Sequence, residues 1–129
     1  MYPLGTPRGV PYVLEIVQLL VDCYDCAADL DDADFLLATL RGAAERVGAK
    51  IVKVVTQRFS PRGVSVILIL AETHLSVHTW PEHGYAAVDV FVCGEGKDPY
   101  PAWDVIRGAL RPGSFEKKEI RRTIGEKRS

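Results

Sequence analysis

The residues able to do chemistry crowd into one stretch, Ala71 to Gly94, which holds all three histidines of the chain, His74, His78 and His83, together with Thr73, Ser76, Glu82 and Cys93. Side chains alternate between the two faces of a strand. His74, Ser76 and His78 are therefore expected to point one way and Thr73, Leu75 and Val77 the other, unless a bend intervenes. Two imidazoles then share one side of a sheet. Neutral imidazoles near a thiol can hold zinc, here with Cys93 and Glu82, but the tight Cys/His ligand pairs of structural zinc sites are missing and the expectation is no metal. Either histidine taken alone is equally at home as a structural, hydrogen-bonded residue. Cys23 and Cys26 have the two-residue gap of dithiol redox sites and of half a zinc site. No second pair completes that pattern, so an ordinary loop with buried or half-exposed thiols is expected there.

Composition bounds what can position these residues. A chain of 129 residues with 47% hydrophobic content fits a single domain with a real core. Sixteen basic against 17 acidic residues leave a formal charge of -1, so no basic field argues for nucleic acid or anionic lipid. Three cysteines and no charged-then-apolar opening segment point to a reducing cytoplasm rather than a disulfide scaffold. The longest apolar runs, such as Val64 to Ala71, fall far short of the roughly 20 residues of a membrane span. A soluble protein with a small-molecule or protein partner is expected.

Met1 to Pro11, with three prolines and two glycines, reads as an irregular arm. Val13 to Cys23 reads as a strand. Asp29, Asp31, Asp32 and Asp34 then precede Leu36, Leu40, Ala43 and Val47, spaced four, three and four apart and followed by Gly48. This is a helix with acids at its positive end and a glycine stop. Lys50 to Phe59 and Gly63 to Ala71 form a hairpin around Ser60-Pro61-Arg62-Gly63. His74 to Thr79 and Tyr85 to Cys93 form a second, whose latter strand is so continuously apolar that burial on both faces is expected. Pro101 suits the first turn of a helix through Ala102, Ile106, Ala109 and Leu110, ended by Pro112-Gly113. Phe115 to Ile124 is mostly charged and reads as an edge strand or short tail element, with Gly125 to Ser129 frayed. The fold class is α+β: a two-layer sandwich, an antiparallel sheet with helices on one face.

Taken whole, Glu72-Thr73-His74-Leu75-Ser76-Val77-His78-Thr79-Trp80-Pro81-Glu82-His83-Gly84-Tyr85-Ala86-Ala87-Val88-Asp89-Val90-Phe91-Val92-Cys93-Gly94 resembles the signature of the small prokaryotic S-adenosylmethionine decarboxylases. The likeness continues upstream through Arg58-Phe59-Ser60-Pro61-Arg62-Gly63-Val64-Ser65, and more loosely to Leu20 through Cys26. It weakens before residue 12 and after about 112. Members of that family cut their own backbone before a serine, which becomes an N-terminal pyruvoyl group. That ketone forms a Schiff base with the substrate amine and takes the electrons of the breaking carboxylate bond, with no pyridoxal phosphate and no metal.

Carried over by the motif, the resemblance implies cleavage between Glu72 and Thr73. Thr73 then stands at the keto-acyl position, where the family has serine. His78 and Ser65 match the processing residues, Cys93 the proton donor after decarboxylation, and Phe59 and Glu82 the groups that stack on adenine and bond the ribose. It also implies a homodimer with interfacial active sites, a role in spermidine synthesis, and S-adenosylmethionine as the small-molecule substrate. Threonine has the oxygen needed for the acyl shift, but its methyl narrows the rotamers of the attacking group and would leave a 2-oxobutanoyl end instead. Two other readings stay open. One is a related decarboxylase of another amino acid, such as arginine or ornithine. The other is an unprocessed, silent paralogue with a regulatory binding role.

Overall fold

The computed structural model describes residues 13–92 and 98–125. The arm, the tail beyond Gly125, Cys93 and Gly94 lie outside them. The described chain runs β1 (Val13–Tyr24), α1 (Ala33–Arg46), β2 (Ile51–Arg58), β3 (Val64–Leu70), β4 (His74–Trp80), a 3-10 turn (Pro81–His83), β5 (Tyr85–Phe91), α2 (Tyr100–Leu110) and β6 (Ser114–Gly125). All strands pair antiparallel in one sheet of order β2-β3-β4-β5-β1-β6. The α+β sandwich is thus the architecture, with both helices on one face.

The acidic stretch before α1 divides its labour. Asp32 is the N-cap, its carboxylate accepting the Phe35 N–H at 3.0 Å, and Asp34 sits in the first turn. Asp31 leaves the helix altogether and accepts the Gly63 N–H at 2.8 Å, tying this loop to the β2–β3 turn. Gly48, at φ 67°, ends the helix in the left-handed region as its sequence position suggests. In α2, Pro101 occupies the first turn, where its missing N–H costs nothing.

Directly paired residues of an antiparallel sheet share a face. One set of cross-strand rows is apolar: Val54, Leu68, Leu75, Val90 and Leu19, and beside it Val66, Val77, Val88 and Val21. These meet Leu36, Leu40 and Ala43 of α1 and Trp103, Ile106 and Leu110 of α2 in a single sealed core. The alternate rows face away from the helices. They read Lys53, Ile69, His74, Phe91, Gln18 and Ile120; then Val55, Ile67, Ser76, Asp89, Leu20 and Lys118; then Gln57, Ser65, His78, Ala87, Asp22 and Glu116.

Two expectations change. β5 is not buried on both faces: Ala86, Val88 and Val90 are buried, while Tyr85, Ala87, Asp89 and Phe91 are half-exposed, because among the described residues no layer covers their side of the sheet. The charged C-terminal stretch is a full 12-residue edge strand that pairs β1 residue for residue and includes Gly125. Its charges are compatible with an edge, where they discourage further strand addition. No helix among the described residues is long and apolar enough to cross a membrane.

Candidate active site

Thr73 is the last residue of a bend, Ala71 to Thr73, that joins β3 to β4. The Leu70 N–H donates to the Thr73 carbonyl across this tight connection at 2.8 Å, so the Glu72–Thr73 peptide lies within the turn, just past its apex. The bend overrides strict alternation. Thr73 lines a groove of about 500 Å³ on the open face together with His74, Ser76, His78, Asp89, Ile67 and Ile69. Thr73 and Glu72 also line a smaller cavity of about 150 Å³ beside Lys50. The Thr73 hydroxyl is buried and makes no hydrogen bond among the described residues. A buried hydroxyl without a partner has lost its water without replacement, an unfavourable state that a structural side chain would ordinarily avoid.

Ser65 and His78 face each other across β3 and β4, and the pairing brings Ser65 Oγ within 2.6 Å of His78 Nδ1. Sequence reasoning named both residues, and the register supplies the contact. With Nδ1 engaged by the hydroxyl, His78 Nε2 makes no hydrogen bond among the described residues and remains able to exchange a proton. His78 and Ser65 also line a neighbouring cavity of about 360 Å³ with Phe59, Trp80 and Glu82. Phe59 is 53% exposed, so it is not a core residue. The two cavities thus adjoin at His78, which lines both, with Thr73 in one and Phe59 and Glu82 in the other.

The hairpin turn that carries Phe59 is held from behind. Besides the Asp31 bond to Gly63, Thr79 Oγ1 donates to the Leu30 carbonyl at 2.7 Å and accepts the Val64 N–H at 3.0 Å. Gly63, at φ 112°, has a backbone conformation that strains any side chain, and a Cβ there would also lie a tight 3.2 Å from the Thr79 carbonyl oxygen. At the other end of the same rows, Tyr85 donates its hydroxyl to Asp22 and packs between Tyr24 and Trp80. Burial, followed by that bond, pushes its phenol pKa up.

Several groove residues escaped sequence reasoning. Asp89 and Gln18 anchor His74, with His74 Nε2 lying 3.3 Å from Asp89 Oδ2 and Gln18 Nε2 reaching both Asp89 oxygens at 3.0 and 3.2 Å. A signal was present, since Asp89 is the one charged residue in β5. Gln18 carried none, because its role depends on β1 inserting between β5 and β6. Cys93 lies outside the described residues. Cys23 is buried on β1 and Cys26 is half-exposed, both as free thiols. Among the described residues, no three metal-ligating side chains come together.

A two-layer α+β chain with its polar groups gathered on the uncovered face of the sheet is the class that fold and site define. The model of the S-adenosylmethionine decarboxylase family matches residues 17–123, and the chain belongs to that family. It is 46% identical over 104 residues to an S-adenosylmethionine decarboxylase proenzyme of Parasynechococcus marenigrum, covering 80% of this chain and 81% of that one. A proenzyme of the same name from Methanococcus aeolicus is 41% identical over 105 residues, covering 81% and 90%. The crystal structure of the adenosylmethionine decarboxylase from Aquifex aeolicus superposes with a TM-score of 0.80 at 35% identity, over 91% of this chain and 97% of that one.

Proposed function

We propose that this protein decarboxylates S-adenosylmethionine, supplying aminopropyl groups for spermidine synthesis in the cytoplasm, through a keto-acyl group made from its own residue 73. The observation that carries the reading is the Ser65–His78 contact in the groove that Thr73 lines, in a chain of this family. The residues present suit a group drawn from the backbone, since the hydroxyl that would attack the Glu72 carbonyl stands at position 73, buried and unpaired among the described residues. Such a group supplies an electron sink for loss of carbon dioxide from an amino acid.

The chain's residues then take these roles. Thr73 Oγ attacks the carbonyl of Glu72. His78, held through Nδ1 by Ser65, takes up through Nε2 the proton that elimination releases. Phe59 stacks on the adenine and Glu82 accepts from the ribose hydroxyls, one cavity along from the reacting end. Cys93 returns a proton to the substrate carbon, a task suited to a thiol of adjustable pKa. Exposed apolar residues on the uncovered face, among them Val55, Ile69, Trp80 and Ile120, support a homodimer that buries this face and completes each site across the interface.

Intact mass under denaturing conditions tests the reading. Two fragments meeting at Glu72 and Thr73, the second reducible by borohydride at a 2-oxobutanoyl end, are expected, with carbon dioxide released from S-adenosylmethionine. A chain that stays whole on long incubation, both as it is and as Thr73→Ser, overturns it in favour of the regulatory paralogue. A cleaved protein that releases carbon dioxide only from arginine or ornithine overturns the substrate.

A further inference from the structure

The roles above leave one proton unassigned. An amine attacks a carbonyl carbon only through a free electron pair, and an α-amino group of ordinary pKa near 7.7–8.0 arrives mostly protonated at neutral pH. Deprotonation of the incoming amine needs a base within reach of residue 73. Cys93 is committed to the later return of a proton. Of the two imidazoles in the groove of residue 73, His78 is held through Nδ1 by a neutral hydroxyl while His74 is held through Nε2 by a carboxylate, the partner better able to stabilise the imidazolium that forms when the incoming amine gives up its proton.

Building on the proposed function, we infer that His74, oriented by Asp89 and Gln18, is that base. His74 is 36% and Asp89 25% exposed at the side chain, and both line the Thr73 groove, where Ile67 and Ile69 supply apolar wall. Asp89 is fixed rather than free, because the Gln18 amide grips both of its oxygens. It in turn holds His74 through Nε2 at 3.3 Å, while Phe91 stands edge-on to the ring at 5.6 Å. Nδ1 of His74 has no hydrogen-bond partner among the described residues. A carboxylate that fixes one ring nitrogen and leaves the other open is the arrangement that makes imidazole a directed base.

A merely structural cross-strand pair is the competing account, since opposite charges on neighbouring strands stabilise a sheet on their own. It does not explain why a third residue, from β1, holds the carboxylate of a pair lining the reacting end of the groove. In the step assigned, one N–H bond of the substrate ammonium breaks, its electron pair stays on nitrogen, and the proton bonds to His74 Nδ1. The resulting imidazolium faces the Asp89 carboxylate. The same carboxylate draws the cationic end of the substrate toward residue 73.

Two measurements test this, one independent of turnover. On the uncut Thr73→Ala chain, S-adenosylmethionine is expected to bind roughly tenfold more tightly than an analogue with hydrogen in place of the amino group. Asp89→Asn is expected to abolish that preference. In cleaved protein, His74→Gln is expected to leave the cleaved fraction unchanged and to lower kcat/KM by about 10²–10⁴-fold. Equal binding of the two ligands to the uncut chain, a preference that survives Asp89→Asn, or unchanged turnover in His74→Gln overturns the inference. So does loss of cleavage in His74→Gln, which would move His74 into self-processing. Failure of the unmodified chain to cleave counts against the proposed function instead, and ligand binding to the uncut chain still decides the role of Asp89.

Discussion

Leu68, Leu75, Val90 and Leu19 form one row across four strands, and Ile67, Ser76, Asp89 and Leu20 form the row one residue along on the same strands. The first lies under two helices with no exposed surface on any of the four, while the second faces outward and contains the carboxylate that anchors His74. Strand geometry alone separates them. One face is committed to apolar packing, which leaves the other free to carry hydroxyls, imidazoles and carboxylates at fixed spacings of one strand, on a support that their own substitution barely disturbs.

The sharpest way to break this division is to substitute residues of one strand, β4, that lie on opposite faces. His78→Ala should slow self-cleavage by about 10²–10⁴-fold, the usual worth of a positioned proton acceptor, with little change in the unfolding midpoint. Leu75→Ala should do the reverse: a loss of about 2–5 kcal/mol of stability from the cavity left in the core, with cleavage intact in the fraction that stays folded. Intact mass over time and urea unfolding read both variants. If Leu75→Ala stops cleavage in protein still folded, the faces are coupled and the division fails.

Next in size comes the far end of the site. Phe59→Ala should raise KM by roughly 10- to 100-fold, since stacking a base on an aromatic ring is worth about 1–3 kcal/mol. With Phe59 more than half exposed, stability should hardly move. A fall in kcat at constant KM would remove Phe59 from adenine binding. Asp31 should act on the same end more weakly, by way of the Gly63 N–H. Asp31→Ala is expected to raise KM a few-fold at constant kcat, and Asp31→Asn, which keeps an acceptor oxygen, to restore it.

The fold was legible where sequence pattern and local chemistry agree. The aspartates and Gly48 bracket α1, Pro101 opens α2, and two turn sequences mark the two hairpins. What pattern could not supply was strand order. Nothing in residues 13–24 says that they insert between β5 and β6, and so nothing said that Gln18 would hold Asp89 or that Asp22 would meet Tyr85. The apolar run of β5 misled for a related reason, because Ala87 and Phe91 are apolar residues on a face that the described helices leave uncovered. Of the residues carried by the signature, Thr73 and His78 line one cavity and Ser65, His78, Phe59 and Glu82 the next, while Cys93 lies outside the described residues. The 2.6 Å Ser65–His78 contact came only with the register, and Asp31 was hidden because an acid before a helix already has a local reason to be there.

The smallest effect concerns what the covered face cannot tolerate. Cys23 sits on that face, paired with Ala86 on one side and Phe115 on the other, and its burial, followed by the nearby Cys26 and Asp22, pushes the thiol pKa up to about 12. An unfolded thiol ionises near 8.5. Between those values the unfolded chain has lost a proton that the folded chain keeps, so stability should be flat below about pH 8 and decline as pH rises toward 12. Cys23→Ala removes the ionisable group and should flatten that part of the decline, at a modest stability loss at pH 7. Urea midpoints at pH 7, 9 and 10 for the two proteins measure the difference in slope. Equal slopes would mean that the covered face admits a charge at Cys23, and the contrast between the two faces would then be one of packing without being one of polarity.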